Sequence, residues 1–172
     1  MNDIKEINEY FKNQLDSTNM WLSFAEAKNA ALLAFNIALL ALYYNLYSIN
    51  KLFTIALMII SIISSVISLM SFRPNLNNLE EKKGYISNNI NLLFYGDIAN
   101  INNSNEYISL VHKIYFPNNQ IEDLSSNINS DYAKEIIMNS KIAQRKYKLF
   151  KQALMLDIIN LSLCIIFLLL CA

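Results

Sequence analysis

The chain is 172 residues long, 54% hydrophobic and 16% charged, where soluble domains carry roughly 25% charged residues. Its 14 cationic and 14 acidic side chains cancel, so it lacks the basic excess on which nucleic-acid binding depends, and no nucleic-acid partner is expected. The length suits one domain, or one membrane hairpin plus a small soluble part.

Residues 2–28 read as a helix, because Ile4, Ile7, Phe11, Leu15, Thr18, Leu22 and Ala25 recur at spacings of three and four. Asp3, Glu6 and Glu9 occupy its first turns, where the helix dipole favours negative charge. These acids are mixed with Lys5 and Lys12, so the segment lacks the basic-then-apolar order of a signal peptide and none is expected. Trp21 falls near the expected entry to the membrane.

Residues 29–47 carry no charge, and a helix of that length spans about 28 Å, close to the hydrocarbon thickness. Tyr43, Tyr44 and Tyr47 gather at its far end, as interfacial aromatics do. The link 48–51 is too short for anything but an antiparallel return, and residues 52–72 form a second uncharged run. Ala27, Ala31, Ala34, Ala38 and Ala41 make a small-residue stripe on the first span, and Ser61, Ser64, Ser68 and Ser71 make one on the second. These stripes read as the faces on which the two helices pack. A hydrophilic pore lining is the alternative for the serines. Arg73-Pro74 closes the hairpin.

Two helices are expected next, about 78–101, broken near Gly84 or Gly96, and 104–116, followed by a polar loop reaching Ser130. Ser130 reads as an N-cap, and Ile136, Ser140, Ala143, Tyr147, Phe150 and Leu154 then form a heptad-like seam. Lys141, Arg145, Lys146, Lys148 and Lys151 are placed on its other face. That stripe suits anionic headgroups or, more sharply, an anionic ligand. The helix continues into a third uncharged run interrupted only by Asp157. Asp157, Asn160, Cys164 and Cys171 share a face, which is expected to meet another helix and not lipid. Asp157 reads either as a residue snorkelling to the interface or as part of a polar seam that sets register or lines a gated path. Asn36 on the first span lies at a depth similar to that of Asn160.

The expected architecture is therefore an all-α membrane protein. It comprises an amphipathic cytoplasmic helix over 1–28, a transmembrane hairpin over 29–72 with spans 29–47 and 52–72, a small cytoplasmic helical domain over 73–152, and a third transmembrane helix over 153–172. Three Lys/Arg precede the first span and ten lie between residues 73 and 151, against Lys51 alone in the hairpin link, which sets the N-terminus on the cytoplasmic side.

No enzymatic site is expected. Gly84 and Gly96 are the two glycines, too few for a phosphate-cradling loop. His112 has no partners for a metal site, since Cys164 and Cys171 fall in the last span and read as packing residues. Glu80-Glu81 and Glu122-Asp123 read as solvated pairs. The middle is too short and too helical for a cyclic-nucleotide-binding β-barrel.

Four patches carry a resemblance. They are Trp21-Leu-Ser-Phe-Ala-Glu26-Ala-Lys28 leading to Asn36, Ser71-Phe-Arg-Pro74, Asn91-Leu-Leu-Phe-Tyr-Gly96-Asp97-Ile98 with Glu106-Tyr107, and Asp131-Tyr132 with Ser140-Lys-Ile-Ala143 and Lys146-Tyr147. In this order, over about residues 10–170, they resemble the transmembrane effector family of Pycsar anti-phage systems. The resemblance implies a multi-pass protein of the bacterial inner membrane, without a cofactor. It would respond to cyclic CMP or cyclic UMP from a partner cyclase by impairing membrane integrity, so that infection aborts. Residues set out for ligand binding are Phe94 and Tyr95 for base stacking, Asp97 for the ribose, and Lys141 and Arg145 for the phosphate; the plain reading of Phe94 and Tyr95 is core. Glu26, Lys28, Asn36, Asp157 and Asn160 are set out as coupling such a sensor to the spans, as part of a homo-oligomer in the lipid bilayer. The alternatives are a membrane-anchored helical interaction protein and a holin-like protein, neither with a nucleotide ligand.

Overall fold

Six helices and no strand make up residues 2–73 and 90–171, which the computed structural model describes. They are α1 (Asn2–Leu46), α2 (Lys51–Met70), α3 (Tyr95–Ile98), α4 (Ser104–Tyr115), α5 (Ile121–Leu124) and α6 (Asn127–Cys171). Three of them, α1, α2 and α6, are long and apolar enough to cross a membrane. The expected helix start at 78, Gly84, the pair Glu80-Glu81, Pro74 and the side chain of Cys171 lie outside the described residues. The chain divides into two compact units, Met1–Ser23 with Asn75–Gln144, and Phe24–Pro74 with Arg145–Ala172.

The first unit is held by a conventional apolar core. Ile7 and Phe11 of α1, Ile98 of α3, Tyr107, Ile108 and Val111 of α4, Leu124 of α5, and Ala133, Ile136 and Ile137 of α6 are buried together. Tyr10 stacks edge-on with Phe11 at 5.6 Å and Phe116 at 5.7 Å. Helix α4 starts where expected, with the Asn103 side chain accepting from the Glu106 N–H, and ends at Tyr115; His112 Nε2 lies 2.8 Å from the Asn119 carbonyl in the loop that follows.

Two expectations change here. Helix does not run through residue 101: the Asn91 side chain accepts from the Leu93 N–H, and the Asp97 carboxylate accepts from the Asn91 N–H, folding 91–94 into a turn before the one-turn α3. Short polar side chains compete with helix in this way. The expected polar loop to Ser130 is also shorter. Leu124 drops into the core from α5, and Ser126, not Ser130, caps α6, with its hydroxyl 3.5 Å from the Asn129 N–H.

In the second unit, Asn50 caps α2 by accepting from the Phe53 N–H, which fixes the return of the hairpin. The serine stripe of α2 is buried along its length. The alanine stripe of α1 faces outward instead, and Ala25, Asn29, Leu32, Asn36, Leu39 and Tyr43 turn inward. The amides decide this face. Alanine gains little by leaving lipid, whereas an asparagine amide against acyl chains would lose its hydrogen bonds, at a cost of several kcal/mol. Tyr43 accordingly packs with Leu39, Leu57 and Cys164, while Tyr44 stays outside.

Candidate functional site

The polar side chains of the second unit form one seam. Asn36 is its junction: its amide nitrogen lies 3.1 Å from the Leu32 carbonyl, 3.1 Å from Ser64 Oγ on α2 and 2.9 Å from Asp157 Oδ2 on α6. One NH2 group thus ties all three long helices. Ser64 Oγ donates in turn to the Ala153 carbonyl at 3.2 Å. On α6, Asn160 donates to Ser61 Oγ at 2.7 Å and to the Leu57 carbonyl at 3.3 Å. Asn29 donates to the Ala25 carbonyl at 2.8 Å and to the Lys146 carbonyl at 3.2 Å. Asp157 is only 2% exposed, so its face meets helices α1 and α2, and its Oδ1 has no hydrogen-bond partner. Oδ1 of Asn29, Asn36 and Asn160 and the hydroxyls of Ser68, Ser71 and Tyr43 are likewise buried and unpaired. The depth match with Asn36 belongs to Asp157, and Asn160 pairs one turn further on.

At the Asn29 end of this seam Lys146 leaves the expected cationic stripe. It is 8% exposed, and its Nζ lies 2.7 Å from Glu26 Oε1 and 5.9 Å from the centre of the Phe72 ring. Periodicity alone assigned Lys146 to the outer face; the flexible stem lets an inward-facing lysine reach a half-exposed carboxylate. Lys28 sits over the rings of Tyr147, at 5.1 Å, and Phe150, at 5.8 Å.

In the first unit, Phe94, Tyr95 and Asp97 are brought together by the 91–98 turn. Phe94 and Tyr95 lie 4.7 Å apart, and Tyr95 contacts Trp21 of α1 at 5.4 Å. Burial raises the Tyr95 phenol above its ordinary value, which keeps it neutral. The Phe94 ring covers Gly96 so closely that a Cβ there would fall 2.4 Å from Phe94 Cε1. One oxygen of Asp97 is engaged by the Asn91 N–H. Gln144 of α6 donates to the Gly96 carbonyl at 3.4 Å, one turn beyond Lys141. Lys141 belongs to this unit and Arg145 to the other, so the five residues set out for the ligand do not make one site within a unit.

A second surface of the first unit escaped the reading of the sequence. An open cleft of about 450 Å³ lies between α1 and α6, lined by Lys5, Asn8, Glu9 and Lys12 on one side and Ile128 and Tyr132 on the other. It offers two cations, one carboxylate, amides and one aromatic ring. Spacings of three and four among residues 5, 8, 9 and 12 were the available signal, hidden because the same turns supply the apolar face.

The Pycsar effector protein domain family matches residues 10–172. Pycsar effector protein RsPycTM of a Rhizobium species is 32% identical over 76% of this chain and 76% of its own length. No solved structure matches. With nearly its full length inside the family and three helices of membrane-spanning length, the chain belongs to the Pycsar effectors, the transmembrane effectors of anti-phage defence.

Proposed function

We propose that this chain is a non-enzymatic effector of the bacterial inner membrane that senses cyclic CMP or cyclic UMP through its first unit and impairs membrane integrity through its second, so that infection aborts. The observation that carries this reading is that α1 and α6 each contribute to both units without a break in the helix. Ligand bound to the first unit therefore acts on the same two helices that hold the polar seam. To shift the seam, the ligand must bind one arrangement of those helices better than the other.

The excess of Lys/Arg before the first span and between residues 73 and 151 supports a cytoplasmic N-terminus and sensor. The outward alanine stripe of α1 supports close approach of another copy, hence a homo-oligomer. Glu26, Lys28, Asn36, Asp157 and Asn160 are the coupling residues in this reading.

The test is binding of cyclic CMP and cyclic UMP to the detergent-purified chain, together with leakage of liposomes that contain it. Saturable binding and nucleotide-dependent leakage are expected. Leakage that ignores both nucleotides would identify a holin-like protein, and no leakage would identify an anchor. Lys5→Gln with Lys12→Gln and, separately, Phe94→Ala with Asp97→Asn decide between the cleft and the 91–98 turn, since the pair that abolishes binding marks the ligand surface.

A further inference from the structure

The chemistry of the seam is unusual for a structural contact between membrane helices. Small residues and an occasional amide suffice to hold such helices together. Here four side-chain amide or carboxylate oxygens and three hydroxyls are buried without a partner, all within one unit and all along the same inward faces. Buried polar groups in folded proteins are almost always hydrogen-bonded, so a run of unpaired acceptors needs a reason. Unpaired acceptors are poorly served by neighbouring helices and well served by water. The seam is therefore a surface that gains hydration when it opens.

Charge gives the surface a sign. Asp157 is the one ionisable Asp, Glu, Lys, Arg or His within residues 29–47, 52–72 and 153–172. Its carboxylate sits at the junction where Asn36 binds both Ser64 and Asp157. A carboxylate exposed to water in a narrow low-dielectric passage attracts cations and repels anions. Three helices packed on one another enclose no column of water, so the passage is walled by the same faces from more than one copy.

We propose that Asn29, Asn36, Ser61, Ser64, Asp157 and Asn160 are the closed lining of a cation-selective path, which forms when α6 parts from the α1–α2 hairpin. This rests on the membrane-impairing reading above and adds to it a defined passage, a lining and a selectivity. It excludes a general tearing of the bilayer.

The experiment uses the full chain in liposomes and planar bilayers, with cyclic CMP or cyclic UMP as the trigger. A KCl gradient gives the reversal potential, which reports potassium against chloride. The wild-type current is expected to prefer potassium at least several-fold, and Asp157→Asn is expected to bring the ratio close to one while current persists. A second measurement does not depend on that variant. In a Cys164→Ser, Cys171→Ser background, Ser64→Cys is expected to react with a membrane-impermeant thiol reagent only after nucleotide is added, while the outward Ile63→Cys stays unreactive. Unchanged selectivity in Asp157→Asn, or equal labelling of positions 63 and 64, overturns the path. Equal release of ions and of a large dextran also overturns it, but leaves the membrane-impairing reading standing. A wild-type chain that passes nothing under any nucleotide removes both.

Discussion

Asn36→Leu is the most informative single change. Leucine is close to asparagine in volume, so the perturbation is the loss of the amide and not of bulk. Two interhelical bonds go, to Ser64 and to Asp157. Such bonds average roughly 0.6 kcal/mol each in membrane proteins. Asp157 Oδ1 is already unpaired, so the carboxyl is left without its amide donor, which adds about 1–3 kcal/mol. The seam is thus weakened by roughly 2–4 kcal/mol, or about 30- to 900-fold in the population of open forms. Cys164 supplies a native reporter, since it is buried beside Leu39, Tyr43 and Leu57. In a Cys171→Ser background, the rate of Cys164 modification by a small thiol reagent in detergent micelles follows that population. Asp157→Leu removes the same bond together with the group that needs it, and should cost about 1 kcal/mol. The double variant should then open less than Asn36→Leu alone, because no carboxyl is left stranded. Strictly additive effects of the two substitutions would show that Asn36 and Asp157 do not act as one junction, and would refute the reasoning.

The Glu26–Lys146 pair should respond asymmetrically, because the lysine side chain is 10% exposed and the glutamate 48%. Glu26→Gln strands a buried ammonium and should lower thermal stability in micelles more than Lys146→Met, which removes the charge that needs a partner; the reverse order would deny that Lys146 is the buried member. Ser61→Ala should speed Cys164 labelling about threefold by freeing Asn160, while Ser68→Ala, whose hydroxyl has no partner, should leave it unchanged or slow it. Gly96→Ala should swing the exposed Phe94 ring away without unfolding the first unit, since the colliding atoms are the far end of a side chain. Unchanged helicity with a faster response of Trp21 fluorescence to an aqueous quencher is the expected result, and loss of helicity would contradict it.

What the sequence disclosed follows from how strongly each feature is forced. Charge-free runs of membrane length admit one reading, and α1, α2 and α6 cover all three. The buried serines followed from a stripe that no other face of α2 could replace. The alanine stripe failed as a guide because small residues permit close approach of membrane helices without requiring it, whereas a buried amide requires a partner. Asn29 and Asn36, each two residues from the stripe alanines on either side, carry the larger energetic stake. The register of α6 against α1, which pairs residue 36 with 157 and 26 with 146, depends on contacts across more than a hundred residues and has no local signature. The cleft near Lys5 and the turn at 91–94 were hidden for a different reason. Each is built from polar side chains that a periodicity argument treats as solvent-facing filler.

The same contacts indicate which helix would part in the proposed opening. Residues 47–50 alone join α1 to α2, so separating those two helices requires the turn itself to be rebuilt. Helix α6 follows α2 only after residues 71–126, so no short turn of that kind joins it to the hairpin. Apart from the Glu26–Lys146 ion pair, its side-chain bonds to the hairpin run through Asn29, Asn36, Ser64 and Asn160, and at about 0.6 kcal/mol each these five total roughly 3 kcal/mol. Moving a two-state equilibrium from 1:99 to 99:1 takes about 5.5 kcal/mol of differential affinity, which is less than the whole binding energy of a micromolar ligand. A seam held mainly by apolar interdigitation or by a buried network with every oxygen satisfied would lie further from that range. In the proposed reading, the unpaired oxygens lower the stability of the closed arrangement, and the differential affinity of a small molecule acting on α1 and α6 would overcome what remains.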